Sequence, residues 1–292
     1  MTLRLGTRGS PLARTQSSWV AERVAAALGE AVELVTISTE GDDVRIPLNA
    51  PPRPGAFVAA LRDALLDGRV DLVVHSFKDM PTAAVPGLVV AATPPREDAR
   101  DAWCGRGSRL ADAPAGTRVG TSSPRRAAAV LRANPGLIPV PIRGNVDTRL
   151  GKIGREVDAV ILAAAGLHRL GRTDAITEYL DDDVAIPAPA QGVLAVECRE
   201  GDLAGRLAVL DDPAVRLAAT AERAVLAGVG ADCATAVGAW ARFRGGELTL
   251  VADLSDHHGI AYARRERSAP VTTRPEAERL GLAVAADLLG AS

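Results

Sequence analysis

Cysteine, histidine and lysine are all scarce in this sequence. The three cysteines, Cys104, Cys198 and Cys233, are odd in number, and with only four histidines they lack the spacing of a zinc or disulfide framework. Reduced thiols fit the cytosol. No stretch of about 18 apolar residues escapes a charge or a cluster of prolines, so no membrane span is expected. The best stretch, Met80 to Pro95, holds Pro81, Pro86, Pro94 and Pro95. The opening MTLRLGTRGSP places charges at Arg4 and Arg8 and builds no apolar signal-peptide core, which predicts a cytoplasmic protein. Like-charge blocks are missing too, and 34 basic against 36 acidic residues give a net charge of −2, which excludes a general nucleic-acid binder. Only Lys78 and Lys152 stand against 32 arginines, so an arginine says little by itself and a lysine's placement says more. No P-loop, G-x-S-x-G or H-E-x-x-H motif occurs.

What is present is a globular composition. With 292 residues and 47% apolar content, disorder is excluded and two domains, or three small ones, are expected. Leu3 and Leu5 start a short strand. Ser10 is placed as an N-cap and Pro11 at the first helical position of an amphipathic helix to about residue 28, with Leu12, Trp19, Val20, Val24 and Leu28 on one face. Strands follow at 32–38, 72–74 and 88–92, with a helix over 56–66 between them. The Pro-rich segment 40–55 reads as a lid or binding loop. After a linker at 93–100 the alternation restarts: strands at 102–104, 118–120, 137–142 and 159–162, with helices at 123–132 and 146–153. PAPAQG, 187–192, reads as a second hinge, and 193–197 as a buried strand returning to the first sheet. Alternation at 237–243, 248–254 and 260–264, with turns at Gly245-Gly246 and 256–259, predicts three antiparallel strands covered by a helix over 275–289. The expected fold class is α/β: two hinged doubly wound domains resembling periplasmic-binding-protein lobes, plus a small α+β C-terminal domain with a three-stranded antiparallel sheet.

Several residues have the chemistry of a site. His75-Ser76-Phe77-Lys78-Asp79-Met80-Pro81 follows a strand, at the carboxyl end where open α/β sheets place ligands. Lys78 beside Asp79 is either a surface pair in a turn or a catalytic carboxylate kept ionised by a cation. Thr7-Arg8-Gly9-Ser10-Pro11 and Thr121-Ser122-Ser123-Pro124 both end a strand and open a helix, and each offers free N–H groups to an anion. Arg125 and Arg126 lie in the first turn of the second of these helices, where cations oppose the dipole unless an anion accompanies them. Arg143-Gly144-Asn145, Arg149 and Arg169, the last placed after a turn at Ala165-Gly166, add guanidiniums. They form either a solvated basic face or a site for a polyanionic organic substrate. Cys104 and Cys198 read as packing residues in strands, whereas Cys233, in a loop, is either idle or a thioether or nucleophile site.

Seven ordered segments resemble the hydroxymethylbilane synthase, or porphobilinogen deaminase, family over nearly the whole chain. They are LRLGTRGSPLA (3–13), DLVVHSFKDMP (71–81), VGTSSPRR (119–126), IRGNVDTRL (142–150), AAAGLHRLG (163–171), PAPAQGVLAVECR (187–199) and TAERAVL (220–226). The resemblance implies three domains: 1–95 with 192–212, 100–190, and 215–292. It implies a dipyrromethane cofactor attached by a thioether to Cys233, onto which four porphobilinogens are added head to tail with loss of ammonia before hydrolysis releases the linear tetrapyrrole. Asp79 is similar to the family's catalytic carboxylate. Lys78, Thr121, Ser123, Arg125, Arg126, Arg143 and Gly144 match positions around the cofactor. Arg8, Ser10, Phe57, Arg149, Arg169 and Gln191 match positions around the substrate. No metal is implied, a monomer is expected, and a cyclising synthase is the expected recipient of the product. The chain departs from the family's lid pattern at Pro54 and Ala59, where lysines are expected, and around Cys233 at Ala231, Asp232 and Ala236. An inactive paralogue and a two-lobed anion-binding protein are the alternatives.

Overall fold

A computed structural model of the chain describes residues 2–38, 55, 58–230, 235–256 and 262–290. Along the chain run β1 (Thr2–Thr7), α1 (Pro11–Leu28), β2 (Ala31–Thr36), α2 (Ala59–Leu66), β3 (Leu72–Ser76) and β4 (Leu88–Ala92). Then come β5 (Asp101–Gly105), β6 (Arg118–Gly120), α3 (Pro124–Ala133), β7 (Ile138–Val140), α4 (Val146–Leu150), β8 (Ala159–Ala163), α5 (Ala164–Arg169) and β9 (Glu178–Leu180). The remainder is β10 (Leu194–Arg199), α6 (Asp202–Leu207), α7 (Pro213–Gly228), β11 (Ala236–Arg244), β12 (Glu247–Ser255), β13 (Tyr262–Ala269) and α8 (Arg274–Leu289).

Two compact units result. One comprises Met1–Arg96 with Val193–Arg216, and the other Glu97–Gly192 with Leu217–Ser292. In the first, the strand order is β2-β1-β3-β10-β4, with β1 parallel to β2 and β3, and β10 antiparallel to both neighbours. The returning strand therefore lies inside the sheet, between β3 and β4. Its Leu194, Ala195, Val196 and Cys198 are at most 2% exposed, because both faces of the sheet are covered. In the second unit the order β7-β6-β8-β5-β9 repeats the same pattern, with β6 parallel to β7 and β8, and β5 antiparallel to β8 and β9. The tail forms the expected antiparallel sheet β11-β12-β13, whose inner face and α8 share a core of Leu248, Leu250, Val284 and Leu288.

Local sequence accounts for the helix starts. Ser10 and Ser123 both cap in extended conformation, their hydroxyls accepting from Ala13 N at 3.3 Å and Arg126 N at 3.4 Å. Val20 and Val24 are buried as the periodicity requires, while Gln16 and Ser17 are buried polar additions. Ser17 donates to Thr7 Oγ1 at 2.8 Å, and Gln16 and Ser76 hydrogen-bond each other. Such bonds make a buried polar face tolerable.

Some expectations are corrected. Ala165-Gly166 is no turn but lies within α5, whose buried residues Ala164 to Leu167 form too short a run for its period to be read. α4 stops at Leu150, and β13 continues to Ala269 rather than stopping at 264, residues 260 and 261 lying outside the described residues. β9 and α6 carried no readable pattern, being 3 and 6 residues long. The lid segment 40–54, Phe57, Cys233 and the 257–259 part of the last turn lie outside the described residues.

Candidate active site

The His75–Asp79 segment stands where the sequence places it. β3 ends at Ser76, and residues Phe77–Asp79 form a single 3-10 turn closed by Met80 N donating to Phe77 O at 3.3 Å. Phe77 N donates to Val193 O at 3.0 Å, continuing the ladder between β3 and β10 into the turn. Asp79 is exposed, Lys78 half-buried and Met80 buried, so the turn presents its carboxylate to solvent on a fixed backbone. Beneath it His75, 4% exposed, has its Nε2 3.0 Å from Oε2 of Glu197, which is 2% exposed on β10.

In the second unit, the cations at the start of α3 do have an anion, supplied by the chain. Asp101, fully buried at the start of β5, accepts at Oδ1 from Arg126 Nε at 3.0 Å and Nη2 at 2.7 Å, while its Oδ2 lies 2.7 Å from Arg125 Nη1. Arg126 Nη1 also donates to Ile161 O at 3.1 Å, and Arg125 Nη1 to Ile186 O at 2.7 Å. Burial alone would raise the Asp101 carboxyl, but the charges of Arg125 and Arg126 and their hydrogen bonds outweigh it and hold it well below the usual carboxylate range. Gln191, expected beside substrate, is fully buried in the same cluster: its Nε2 donates to Ala99 O at 2.8 Å and to Asp101 Oδ1 at 2.9 Å. All three nitrogens of Arg126 are thus engaged, and Gln191 braces the arginine pair from inside.

The other guanidiniums are more open. Arg143 and Arg149 are half-buried, and Arg149 Nε donates to Gly144 O at 2.8 Å. Gly144 has φ +115, and a Cβ there would stand 2.5 Å from Thr148 Cγ2, so only glycine lets this loop fold back on α4. Asn145 caps α4, accepting from Thr148 N at 2.9 Å. Thr121 is buried, its hydroxyl accepting from Ser123 N at 3.1 Å. Arg169 ends α5 and donates to Gly192 O at 2.8 Å; burial pushes its guanidinium down to about 10, an effect that the Glu97 charge partly opposes. In the first unit Arg8 and Ser10 are half-buried at the start of α1. The thiols of Cys104 and Cys198 are buried in β5 and β10, and burial raises them to about 12 and about 11, which keeps them protonated and inert.

Three carboxylates of structural weight escaped the sequence reading. Asp101 and Glu197 sit in strands whose neighbours are apolar, and Glu222 is one acid in the alanine-rich α7. Glu222 is fully buried and accepts from Ala190 N at 2.6 Å and Ala241 N at 2.8 Å, fastening the 187–192 segment and β11 to α7. Ala190 is held at φ 60, the one described non-glycine residue with positive φ. The available signal was charge at positions of otherwise buried period, which alone does not name a partner.

Comparison with known proteins follows the same outline. A family described as "Porphobilinogen deaminase, dipyromethane cofactor binding domain" matches residues 3–206, and "Porphobilinogen deaminase, C-terminal domain" matches residues 216–290. The porphobilinogen deaminase of Leifsonia xyli subsp. xyli is 52% identical over 267 residues, covering 89% of this chain and 81% of the relative. That of Thermobifida fusca is 48% identical over 291 residues, covering 98% and 91%. That of Mycobacterium tuberculosis is 47% identical over 304 residues, covering 98% and 95%. Among solved structures, an ABC-transporter periplasmic substrate-binding protein from Coxiella burnetii aligns with TM-score 0.43 and 19% identity over 75% of this chain and 95% of that one, a distance at which no functional argument holds.

Proposed function

Because this chain belongs to the porphobilinogen deaminase family, we propose that the 77–79 turn is its catalytic centre and that Asp79 is the catalytic carboxylate. The enzyme polymerises porphobilinogen head to tail, with loss of ammonia, and releases hydroxymethylbilane by hydrolysis, a step of tetrapyrrole biosynthesis. Its cofactor is a covalently attached dipyrromethane, which when bound supplies the free pyrrole position from which the chain grows. The observation that carries the proposal is the position of Asp79. It is an exposed carboxylate at the carboxyl end of a sheet strand, beside half-buried Lys78, on a turn pinned by Phe77 N to Val193 O.

An ionised carboxylate on a rigid backbone stabilises positive charge at the pyrrole nitrogen as the aminomethyl group leaves. Lys78 pairs with a substrate or cofactor carboxylate. The described residues fit a carboxylate-bearing dipyrrole: Arg143 and Arg149 flank a glycine-dependent loop, and Thr121 and Ser123 lie at the N-terminus of α3. Arg125, Arg126 and Gly144 complete the cofactor side of this reading. Arg8, Ser10, Phe57, Arg149, Arg169 and Gln191 belong to substrate capture, with Gln191 and Arg126 supporting their neighbours through Asp101. Cys233 is the attachment residue. The same reading divides the chain into domains 1–95 with 192–212, 100–190, and 215–292, in keeping with its three separate sheets. It takes the protein as a cytoplasmic monomer, consistent with buried free thiols, whose product passes to a cyclising synthase. No helix among the described residues is long and apolar enough to cross a membrane.

The test is the intact mass of the purified protein beside Cys233→Ser. A covalent adduct in the parent alone is expected; a bare mass in both would overturn the cofactor assignment.

A further inference from the structure

Arg62 lies one turn into α2, at the root of the Pro-rich segment, and faces the sheet with its side chain 11% exposed. Its Nε donates to both oxygens of Glu197 at 3.0 and 3.1 Å, and its Nη2 lies 2.9 Å from Oε1. Glu197 Oε2 in turn meets His75 Nε2 at 3.0 Å. Three ionisable side chains from α2, β10 and β3 are thereby locked together in the interior directly beneath the turn that carries Lys78 and Asp79. An apolar cluster reinforces the link: Val58, Met80 and Ala195 are buried together with Phe77 packed against them, so the start of α2 covers both ends of the turn.

We propose that Arg62 is a positioning residue for the Lys78–Asp79 turn, acting through Glu197 and His75; the inference rests on the catalytic reading of Asp79. Burial opposes ionisation of Glu197, yet its bonds to His75 and Arg62 outweigh that and hold its carboxyl below the usual range. With the fork of Arg62 in place, the carboxylate has one orientation, and His75, the residue that begins the turn's descent from β3, is fixed by it. Without the guanidinium, a carboxylate 2% exposed keeps only its contact with the His75 ring and loses the bidentate restraint. The strand end and the root of α2 then shift against each other. Misplacement of a reacting group by about 1 Å is enough to lower turnover about a hundredfold.

The experiment compares Arg62→Ala, Arg62→Lys and Glu197→Gln with the parent at a temperature well below each melting point. In Arg62→Ala and Glu197→Gln, amide exchange at 76–80 accelerates by about tenfold or more, while exchange in β11–β13 does not change. kcat falls roughly a hundredfold with KM within about twofold, the pattern of a displaced catalytic group. Arg62→Lys recovers part of kcat and most of the protection, since it restores the charge without the fork. A lowered Tm with parental exchange at 76–80 and parental kcat would reduce Arg62 to a plain structural contact and overturn the inference. If Arg62→Ala does not fold, Glu197→Gln carries the same comparison with the side-chain shape retained. Exchange is read without any turnover, so a parent lacking adduct and activity would defeat the functional reading while leaving the exchange result to decide on Arg62.

Discussion

Asp79 and Asp101 occupy opposite environments, one in each α/β unit. Asp79 follows a strand end and is exposed beside a lysine; Asp101 opens a strand, is fully buried and is clasped by two arginines. The same side chain therefore serves two ends. An exposed carboxylate on a pinned turn is available to a substrate, whereas a buried one whose charge is matched in place can only organise its neighbours. The comparison also explains why two helix starts with similar sequence differ. α3 is given one internal counter-anion, Asp101, which Arg125 and Arg126 share, so the cluster keeps a net positive charge for a ligand carboxylate.

Breaking each aspartate in turn gives the widest contrast. Asp79→Asn is expected to keep the fold, Tm and covalent adduct and to lower kcat by about 10²–10⁴-fold; steady-state turnover with adduct mass as control checks it, and near-parental turnover would remove Asp79 from catalysis. Asp101→Asn has the opposite profile. Leaving two guanidiniums buried without their partner costs about 3–5 kcal/mol, or a Tm drop of about 10 °C by calorimetry. Adding Arg126→Leu should then cost less than it does alone, because the pair shares one interaction. Strictly additive losses would show that the two residues are not coupled.

Gly144→Ala tests the open side of the second unit. Its positive φ and the approach to Thr148 predict a loss of about 1–3 kcal/mol and reduced adduct loading through Arg143 and Arg149, read by Tm and intact mass. The smallest effect belongs to a carboxylate at a helix start. Backbone and hydroxyl hydrogen bonds from Thr272 and Thr273 draw Glu276, at the start of α8, down to about 2 from 4.5. A depressed carboxylate stabilises above its unfolded value and loses that contribution as pH falls through the folded one. Glu276→Gln should therefore melt slightly below the parent at neutral pH, with the gap closing between about 4.5 and about 2.

Period and punctuation made most of the fold legible. Ser10-Pro11 and Ser123-Pro124 announced α1 and α3, and the apolar run after PAPAQG announced a strand that does return to the first sheet as β10. The 77–79 turn was legible because a strand followed by polar residues and Met80-Pro81 leaves little freedom. Buried charge was not. Nothing in the run Asp101-Ala102-Trp103-Cys104 says that its first residue will meet Arg125 and Arg126, and nothing in Leu194–Arg199 says that Glu197 will meet Arg62 of α2.

By itself the sequence determined most of the longer elements of the two α/β units and the tail, the caps of α1 and α3, the strand-end position of Lys78 and Asp79, and, through seven ordered motifs, the family, but not α5, β9, α6 or α7. These are local properties: hydrogen-bond capping, side-chain period and residue identity act over a few positions along the chain. Tertiary structure alone decided which charges are available and which are balanced. A guanidinium on α3 or α2 is free or engaged according to what lies some 3 Å away, and those partners are 135 residues distant along the chain for Arg62 and 25 for Arg126. Coulomb and hydrogen-bond energies depend on distance in space and on burial, neither of which sequence separation encodes.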